Sequence, residues 1–536
     1  MWLQLSILMC SAVAAYLIWT RYRIMSIRGK MGLGGPSTNL FLGNAHQIGL
    51  YIHKNGPKMA FLMHDWISEH GKVFGFYIGP IYFVMLSDLE MVQDVLVRKF
   101  NCFTDRMQMY MLRKSLQDSI ITLHGEKWKQ VRQAVTPLFT KNKIKDMSHV
   151  VNEKLDTFMQ IMSGHAYSGS SFDIYSNFKA LTLDVIGKVA FAMDVNCQKN
   201  LKDAFYVNAT KFFKEMQSTE NSILFKLGAL FPEMAPILNV FMTLTESVQA
   251  ETWMFKNLER VIKDRVSKKS FNSVDIMQLL LEQSVYCNGK GNGVEKRVLD
   301  LGLDQIGSNC FVFLLAGYET TSTALGFTAW LLAKHPDVQS KLQQEIEANV
   351  ALEADIDYDL VLKLPYLDAV YHEALRLFPP VVFFVSRTCT KECVIGNVTF
   401  EPGVQVMIPV YSIHHDPELW PEPKQFKPER FFKNKDYHPM SWIPFGSGPR
   451  NCIGMRFGEM EYKMTIARML YRFRLEMCQE SHDPLPIINH HALLDPHKVI
   501  LRLARRPERK SRILSPTADE VLIKSENNNL SFPFVH

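Results

Sequence analysis

The side chain best placed to do chemistry in this sequence is the thiol of Cys452, within the glycine-rich stretch FGSGPRNCIG at positions 445–454. Gly446 and Gly448 predict a tight turn, and helical spacing of apolar residues starts at about Ile453. The cysteine is therefore expected at a helix N-terminus, where the helix dipole and unpaired backbone N–H groups favour a thiolate. A thiolate in that position acts either as a nucleophile or as a metal ligand.

The surroundings of this cysteine leave both roles open. A nucleophile needs a neighbouring base, and the local sequence has none, although one can come from elsewhere in the fold. Gly454 removes a side chain next to the sulfur, as expected where a flat group lies close, and Phe445 is positioned to cover the sulfur. The nine cysteines form no CxxC motif, which argues against a secreted disulfide framework. Cys389 and Cys393 have no matching Cys or His pair nearby, which favours structural thiols over a metal site.

A second chemically unusual segment is the apolar stretch CFVFLLAGYETTSTALGFTAWLLA at 310–333. It is long enough to cross a membrane, but Glu319 at its middle would cost about 2.5–3.5 kcal/mol at a bilayer centre. The sequence therefore predicts a soluble helix over about 301–335 that is buried in a large core. Buried acids and hydroxyls need partners or a function. The alternative is a helix whose Ser and Thr side chains bond their own i−4 carbonyls.

The elements that position these groups are predicted to be mainly helical, with a small β region. The chain has 536 residues, 47% of them hydrophobic, which is ample for a large core. Helical spacing predicts helices at 126–147, 172–193, 246–268, 337–349 and 366–377, whereas 73–86 and 393–409 have strand-like patterns and 287–297 is a polar loop.

The cysteine loop and four further motifs resemble the cytochrome P450 family of haem-thiolate monooxygenases. The loop matches the family's haem-binding signature at Phe445, Gly448, Arg450, Cys452 and Gly454, five fixed positions in ten residues. The other motifs, in the family's order, are WKQVR with Trp128 and Arg132, AGYETT at 316–321, EALR with Glu373 and Arg376, and PERF with Arg430. The resemblance covers about residues 30–505. It departs from the family in the linker, which lacks repeated prolines, and in the tail after 506.

This resemblance implies a cytochrome P450 fold and haem b as the cofactor, with the iron axially ligated by the Cys452 thiolate. It also implies that Thr320 and Glu319 deliver protons to dioxygen, and that Gly317 lets their helix open for the oxygen molecule. Ala316 is expected to contact the haem from the same helix, and Phe445 and Gly454 from the side of the sulfur.

The haem propionates need charge-assisted hydrogen bonds, which arginine supplies in a fixed fork. The implied propionate partners are Trp128, Arg132, Arg387 and Arg450. Arg106 is a further candidate, and a solvated loop charge is an equally good interpretation of it.

Glu373, Arg376 and Arg430 are expected to form a buried structural network. On a helix, positions i and i+3 lie side by side, and a surface pair there contributes only about 0.2–0.5 kcal/mol. If the family match holds, the pair is buried with Arg430, and removing one member costs about 3–5 kcal/mol. The expected role is folding and haem retention.

The resemblance implies a monooxygenase that inserts one oxygen atom of O2 into a lipophilic organic substrate. Electrons are expected from NADPH through a separate reductase, with cytochrome b5 as a further candidate partner. Lysines 127, 129, 141, 143 and 145 are a candidate docking face, although for any single lysine a solvated helix surface is the slightly better interpretation. The substrate-lining segments 107–123, 212–241 and 379–387 are mostly apolar and aromatic. The formal net charge of +6 is small for this length and argues against a nucleic-acid partner.

The N-terminus is predicted to be an uncleaved, single-pass anchor in the endoplasmic reticulum membrane. Residues 2–19 carry no charge, and basic residues follow the apolar run, which places the catalytic domain in the cytosol by the positive-inside rule. The expected organisation is an anchor at 1–20, a linker at 21–45, a haem-thiolate catalytic domain at 46–505 and a polar, disordered tail at 506–536.

Two other functions are compatible with parts of this pattern. One is a haem-thiolate isomerase or lyase of a lipid peroxide, which would not need the acid–threonine pair at 319 and 320. The other is a non-catalytic haem-binding protein, for which damage to the distal helix or the electron-transfer face would be expected. The sequence has neither kind of damage, which favours the monooxygenase.

Overall fold

The computed structural model describes residues 2–107, 113–217, 223–267, 275–285, 301–432, 437–489 and 492–507. Over these ranges the chain is mainly helical with small β-sheets, as predicted. The predicted polar loop at 287–297 and the tail from 508 onward lie outside the described residues, as do parts of the predicted substrate-lining segments, at 108–112 and 218–222.

The helices follow one another along most of the chain. Up to residue 267 they are Trp2–Met25 (α1), Ile27–Lys30 (α2), Ala45–Asn55 (α3), Met59–His70 (α4), Leu89–Gln93 (α5), Lys114–Gln117 (α6), Gly125–Val135 (α7), Lys141–Ser168 (α8), Ile174–Phe191 (α9), Ala204–Gln217 (α10), Ile223–Leu230 (α11), Ala235–Met242 (α12) and Glu246–Ser267 (α13). After that they are Ile276–Val285 (α14), Leu303–Lys334 (α15), Pro336–Asn349 (α16), Tyr358–Val361 (α17), Pro365–Leu377 (α18), Val410–His414 (α19), Glu429–Phe432 (α20) and Met455–Arg472 (α21). Short 3-10 or π turns occur at Asp94–Arg98, Phe100–Cys102, Thr136–Phe139, Pro232–Met234, Glu353–Asp355 and Pro439–Ser441.

The strands form three small sheets. They are Val73–Ile78 (β1), Ile81–Leu86 (β2), Phe172–Asp173 (β3), Ser386–Thr388 (β4), Cys393–Ile395 (β5), Val398–Phe400 (β6), Gln405–Met407 (β7), Phe473–Glu476 (β8) and Ile500–Arg505 (β9). The first sheet has the order β1-β2-β7-β4, with β2 and β7 parallel and the other pairs antiparallel. In this sheet, Arg387 of β4 pairs with Val406 of β7, and Val406 in turn pairs with Val84 of β2. This register determines where the Arg387 side chain leaves the sheet.

Helix α15 is the central element of the helical core, as predicted for 301–335. It packs against α6, α9, α13, α18 and α21. Nearly every side chain from Ile306 to Ala333 is buried. The helix passes the length and hydropathy test for a membrane span, but because it is mostly buried it is the core helix of the folded domain.

The helix predicted over 126–147 is wrong as a single element. The structure has α7 ending at Val135, a 3-10 turn over Thr136–Phe139, and α8 starting at Lys141. Pro137 has no backbone N–H to donate and its ring clashes with the preceding turn, so the helix ends there. The break turns α8 away from α7, and α8 instead packs against α9 and α21.

The N-terminal helix is longer than the predicted anchor. It continues to Met25, and α2 adds another turn, so the segment predicted as a linker starts helical. A helical stretch at Gln4–Lys30 is long and apolar enough to cross a membrane. The chain then bends at glycines: Gly35 has a φ of +145° and lies against the backbone of Gly75, where any side chain would collide.

Candidate haem-thiolate site

The cysteine loop closes on itself before α21 begins. The backbone N–H of Cys452 donates to the carbonyl of Phe445 at 2.9 Å. Gly446 and Gly448 have φ values of +67° and +72°, which residues with side chains rarely adopt. A Cβ on Gly448 would also collide with the carbonyl oxygen of Leu96, so this loop requires glycine for both conformation and space.

The Cys452 sulfur accepts hydrogen bonds from the backbone N–H groups of Gly454 and Met455 at the start of α21. Even so, burial raises the pKa of the thiol, and these bonds and the positive charges of Arg106 and Arg132 only partly offset it. The helix N-terminus alone therefore does not produce the thiolate expected from the sequence. A cation bound at the sulfur would favour that form.

Ala316 is exposed although α15 around it is buried, and Cys452 is exposed on a loop whose residues are mostly half-buried. The exposed side of Ala316 therefore borders an internal space. Because its surroundings still desolvate the thiol, the exposed side of Cys452 also faces an internal space. Thr320, one turn after Ala316, is half-exposed, and its hydroxyl donates to the Ala316 carbonyl at 2.8 Å. A Cβ on Gly454 would meet no protein atom within 4 Å, which leaves room for a flat group beside the sulfur.

Three arginines lie close together near the cysteine loop: Arg387 and Arg450 are buried and Arg106 is half-buried. Among the described residues, Arg106 Nε, Arg387 Nε and Arg450 Nη1 have no hydrogen-bond partner. Burial lowers the pKa of Arg106 to about 10 and that of Arg450 to about 9, and it lowers the pKa of Arg387 well below its usual value. The neighbouring arginines add to the lowering at Arg387. Such a concentration of positive charge with free donors fits an anion, and two carboxylates match the guanidinium fork.

The remaining nitrogens of these arginines bind backbone carbonyls, which fixes their orientation. Arg450 Nε donates to Thr104 O at 2.5 Å and Nη2 to Leu123 O at 2.8 Å. Arg387 Nη1 donates to Ser386 O at 2.8 Å. Arg106 Nη2 donates to Arg450 O at 3.1 Å, so Arg106 is held inside the cluster rather than in solvent.

Trp128 and Arg132, both on α7, contact the same region in different ways. The Arg450 guanidinium lies over the Trp128 ring, 4.1 Å from its centroid. Arg132 is half-buried and donates to the carbonyl and side-chain oxygens of Asn451 at 2.9 and 2.8 Å. Arg132 therefore braces the residue next to the cysteine, a contact that the sequence did not predict.

The Glu319 carboxylate takes part in a buried ionic cluster with side chains from α9 and from the segment before β9. Lys179 Nζ lies 3.1 Å from Glu319 Oε1, and Tyr175 OH donates to both Glu319 Oε1 and Asp495 Oδ2 at 3.1 Å. Glu319 Oε2 is buried without a hydrogen-bond partner in the described part of the chain. Burial raises the pKa of Glu319, and Lys179 offsets part of the shift. Thr323, one turn on, contacts the Tyr175 hydroxyl at 3.0 Å.

Gly317 does not open its helix, contrary to the sequence expectation. The α15 helix is continuous from Leu303 to Lys334. A Cβ on Gly317 would lie 2.9 Å from two side-chain carbons of Ile186 on α9. The glycine allows α9 and α15 to approach closely, which is what brings Lys179 within reach of Glu319.

The predicted network of Glu373, Arg376 and Arg430 is confirmed. Arg376 binds Glu373 through two bonds, Nε to Oε2 at 2.7 Å and Nη2 to Oε1 at 2.9 Å, and both side chains are fully buried. Arg430 Nε reaches Glu373 Oε1 at 3.3 Å. Arg376 also donates to the carbonyl of His414, whose imidazole accepts the N–H of Ile443, two residues before the cysteine loop. The network is thus connected to the start of the cysteine loop through His414 and Ile443.

Sequence reasoning did not identify Lys179, Tyr175 and Asp495 as part of the site. Their partners lie more than a hundred positions away, so no local pattern links them. The available signal was Lys179 in the first half of α9, on a helix whose other residues are mostly buried, since a buried lysine needs a partner.

Comparison with known proteins places these features in context. A family model described as "Cytochrome P450" matches residues 33–503. The chain is 34% identical to human "Cytochrome P450 3A5" over 507 residues, which cover 93% of this chain and 95% of the relative. It is 33% identical to "Cytochrome P450 3A12" of Canis lupus familiaris with the same coverage, and 34% identical to "Cytochrome P450 3A9" of Rattus norvegicus over 94% of this chain and 96% of the relative.

Proposed function

The chain belongs to the cytochrome P450 family of haem b monooxygenases, and on that basis we propose that it oxidises a lipophilic organic substrate with electrons from a separate NADPH-dependent reductase. Bound haem b supplies the centre at which dioxygen is reduced and one oxygen atom is transferred to the substrate. The observation that carries the proposal is the accessible Cys452 residue on the glycine loop, near a cluster of arginines with free donors.

Cys452 is the proposed axial ligand. The Gly454 and Met455 N–H groups hold its sulfur and moderate its electron density, as outer hydrogen bonds do at metal sites. Phe445 fixes the loop through its carbonyl and packs near Tyr371 and Trp442, with ring centroids 6.5 and 6.3 Å away. The loop is thus set before the cofactor binds.

Arg387, Arg450 and Arg106 are the proposed propionate partners, with Trp128 as the surface on which Arg450 stacks. Each arginine keeps a buried nitrogen free for a carboxylate while its other donors hold the backbone. Asp105 lies 3.7 Å from Arg450 Nη2 and offsets only part of this positive charge. Neutralising the rest contributes to the affinity for the cofactor, because buried uncompensated charge is unfavourable. Arg132 contributes by holding Asn451.

Thr320 and Glu319 are the proposed proton-delivery residues. The Thr320 hydroxyl is the accessible polar group next to Ala316, and rotation away from the Ala316 carbonyl frees its proton. Glu319 directly precedes Thr320, and its carboxylate is held in place by Lys179 and Tyr175. We assign Lys179 and Tyr175 as positioning residues that keep this acid buried and oriented.

Among the described residues, the proposed reductase docking face has fewer lysines without an acidic neighbour than the five that the sequence indicated. Lys127 is exposed on α7, the helix that braces the cysteine loop, and Lys129 lies 3.7 Å from Glu126. Lys145 instead forms an ion pair with Asp359. Acidic groups on a reductase or on cytochrome b5 would complement the free lysine charge, an interaction that acts mainly on association rate.

We propose that α1 anchors the protein in the endoplasmic reticulum membrane with the catalytic domain in the cytosol. Arg21, near the end of α1, lies 3.1 Å from Glu233. That contact brings the anchor next to α12, whose Ile237, Val240 and Phe241 are 60, 66 and 54% exposed. An exposed apolar surface beside a membrane anchor favours contact with lipid and access for lipophilic substrates from the bilayer.

The test is the reduced, carbon monoxide difference spectrum of the expressed protein beside Cys452→Ala. A red-shifted Soret band in the wild type and its loss in the variant are expected. A histidine-type band in a haem-loaded wild type would refute the ligand assignment. Substrate-dependent NADPH consumption with added reductase then separates monooxygenation from peroxide isomerisation, which needs no reductase.

A further inference from the structure

Two half-buried cysteines from distant parts of the sequence lie next to each other, away from the haem-thiolate site. Cys102 ends the 3-10 turn Phe100–Cys102, and Cys393 begins strand β5. Both are partly accessible, whereas Cys197, Cys310 and Cys389 are buried. Accessibility combined with a neighbouring thiol is the usual setting of a redox-active pair.

Backbone contacts hold the two segments together. The N–H of Thr390 donates to the carbonyl of Cys102 at 2.8 Å, and Thr388, two residues before Thr390, pairs antiparallel with Asp105, three residues after Cys102. Lys99 Nζ donates to the carbonyl of Val394, next to Cys393, at 2.6 Å. These bonds occur on both sides of the thiols, so their proximity follows from the fold.

The Cys102 side chain acts on the Cys393 thiol, as the pKa of Cys393 shows. Burial raises the pKa of Cys393, and the hydrogen bond with Cys102 and its charge raise it further, while Lys99 acts in the opposite direction. Each thiol also has a weak acceptor of its own: Cys393 Sγ donates to the Val394 carbonyl at 3.9 Å, and Cys102 Sγ donates to Asn101 Oδ1 at 3.6 Å. By contrast, the buried Cys389 thiol donates to the Lys391 and Phe400 carbonyls at 3.0 and 3.5 Å.

We propose that Cys102 and Cys393 form a reversible, peroxide-sensitive thiol pair. The Cys102 sulfur attacks the O–O bond of hydrogen peroxide, which forms a sulfenic acid and releases one water. The Cys393 sulfur then displaces the hydroxyl from Cys102, forming the S–S bond and releasing a second water. The two thiols supply the two electrons that reduce the peroxide, and a dithiol reductant reverses the reaction.

The disulfide would connect the β5–β6 hairpin to the segment that carries the arginine cluster. Two residues after Cys102, Thr104 accepts the Arg450 Nε bond, and Arg106 binds the Arg450 carbonyl. Phe103, which lies between Cys102 and Thr104, packs edge-on against Phe400 of the hairpin, with ring centroids 5.6 Å apart. Oxidation would thus restrain the chain that positions these arginines. In a reducing compartment such a bond is transient, as redox-sensing disulfides are.

The experiment is peptide mapping without reductant, applied to the full-length holoenzyme before and after hydrogen peroxide. We expect loss of two free thiols per chain and one new cross-linked peptide joining Cys102 to Cys393, both reversed by dithiothreitol. Cys102→Ser and Cys393→Ser should each abolish the cross-link. Cys478→Ser is the matched control, because Cys478 is also half-buried but contacts the Ser481 hydroxyl rather than another thiol; it should keep the cross-link.

The order of steps is tested by trapping with dimedone. In Cys393→Ser the sulfenic acid should accumulate on Cys102, and in Cys102→Ser none should form at Cys393. Cross-links to other cysteines, or recovery of Cys102 and Cys393 only as free thiols or separate sulfinic acids, would overturn the proposal. The wild-type map needs no substitution, and an unchanged carbon monoxide spectrum in each variant verifies its fold.

Discussion

Replacing Lys179 by methionine tests whether its ammonium group is what permits Glu319 to be buried as a carboxylate. In the wild type the two groups are 3.1 Å apart, and the second Glu319 oxygen has no partner in the described ranges. Lys179→Met keeps the apolar stem of the side chain and removes the charge. Removing the ammonium group affects the Asp495 carboxylate less, because the backbone N–H of His497 still donates to it at 2.6 Å.

The size of the stability loss in Lys179→Met depends on which of two states Glu319 adopts in the variant, charged or protonated. Remaining charged and unpaired in the interior costs about 3–5 kcal/mol. Taking up a proton costs about 1.4 kcal/mol for each pH unit above the pKa. The unfolded chain releases this proton above the ordinary pKa of 4.5, so folding with Glu319 protonated at pH 7 costs about 3.4 kcal/mol. The variant is therefore expected to bind a proton at Glu319 and lose no more than this.

The loss must depend on pH in a defined direction. In the variant the pKa of Glu319 is raised further than in the wild type, because burial still raises it and Lys179 no longer offsets that rise, so the folded protein holds a proton that the unfolded chain releases. That contribution is fully present below the unfolded pKa and is lost as the pH rises through the folded pKa. The difference in unfolding free energy between wild type and Lys179→Met should therefore widen from pH 6 to pH 8, by up to about 1.4 kcal/mol per unit.

Denaturant unfolding midpoints of the haem-loaded proteins at three pH values measure this directly. Lys179→Met/Glu319→Gln is the control, because a neutral amide needs no counter-charge, and it should remove the pH dependence of the loss. A pH-independent loss in Lys179→Met, or the same slope in the double variant, would show that Glu319 is not the group left uncompensated.

Three further outcomes follow from the packing and the charges of the described residues. Arg376→Met removes both bonds to a fully buried glutamate and should lower the unfolding free energy by about 3–5 kcal/mol. The loss should be seen as early haem release during denaturation, and a loss below about 1 kcal/mol would contradict a charged, buried pair. Gly317→Ala places a methyl group 2.9 Å from Ile186 and should cost about 1–3 kcal/mol in unfolding free energy, with partial recovery in Gly317→Ala/Ile186→Val; equal stability of the two variants would exclude that contact as the cause. Lys127→Glu should raise the reductase concentration for half-maximal turnover at low salt more than Lys145→Gln does, because Lys145 is already ion-paired; an equal effect would argue against a docking role for α7.

The sequence by itself determined the features that depend on neighbouring positions. The glycine spacing around Cys452 is local because the loop needs positive φ values at Gly446 and Gly448, and these are visible as glycines. The long apolar run with an acid at its centre predicted the buried α15. The i, i+3 spacing of Glu373 and Arg376 predicted their side-by-side arrangement, since three residues nearly complete a helical turn.

The tertiary structure alone decided which distant side chains meet and which charges are left without partners. Glu319 pairs with a lysine 140 positions earlier because Gly317 lets α9 and α15 approach, and no periodicity in either helix records that distance. Arg106 joins Arg387 and Arg450 because separate loops converge on the same space. Desolvation in that interior also reversed the expected pKa shift at Cys452, since burial depends on everything packed around the sulfur and not on the helix that follows it.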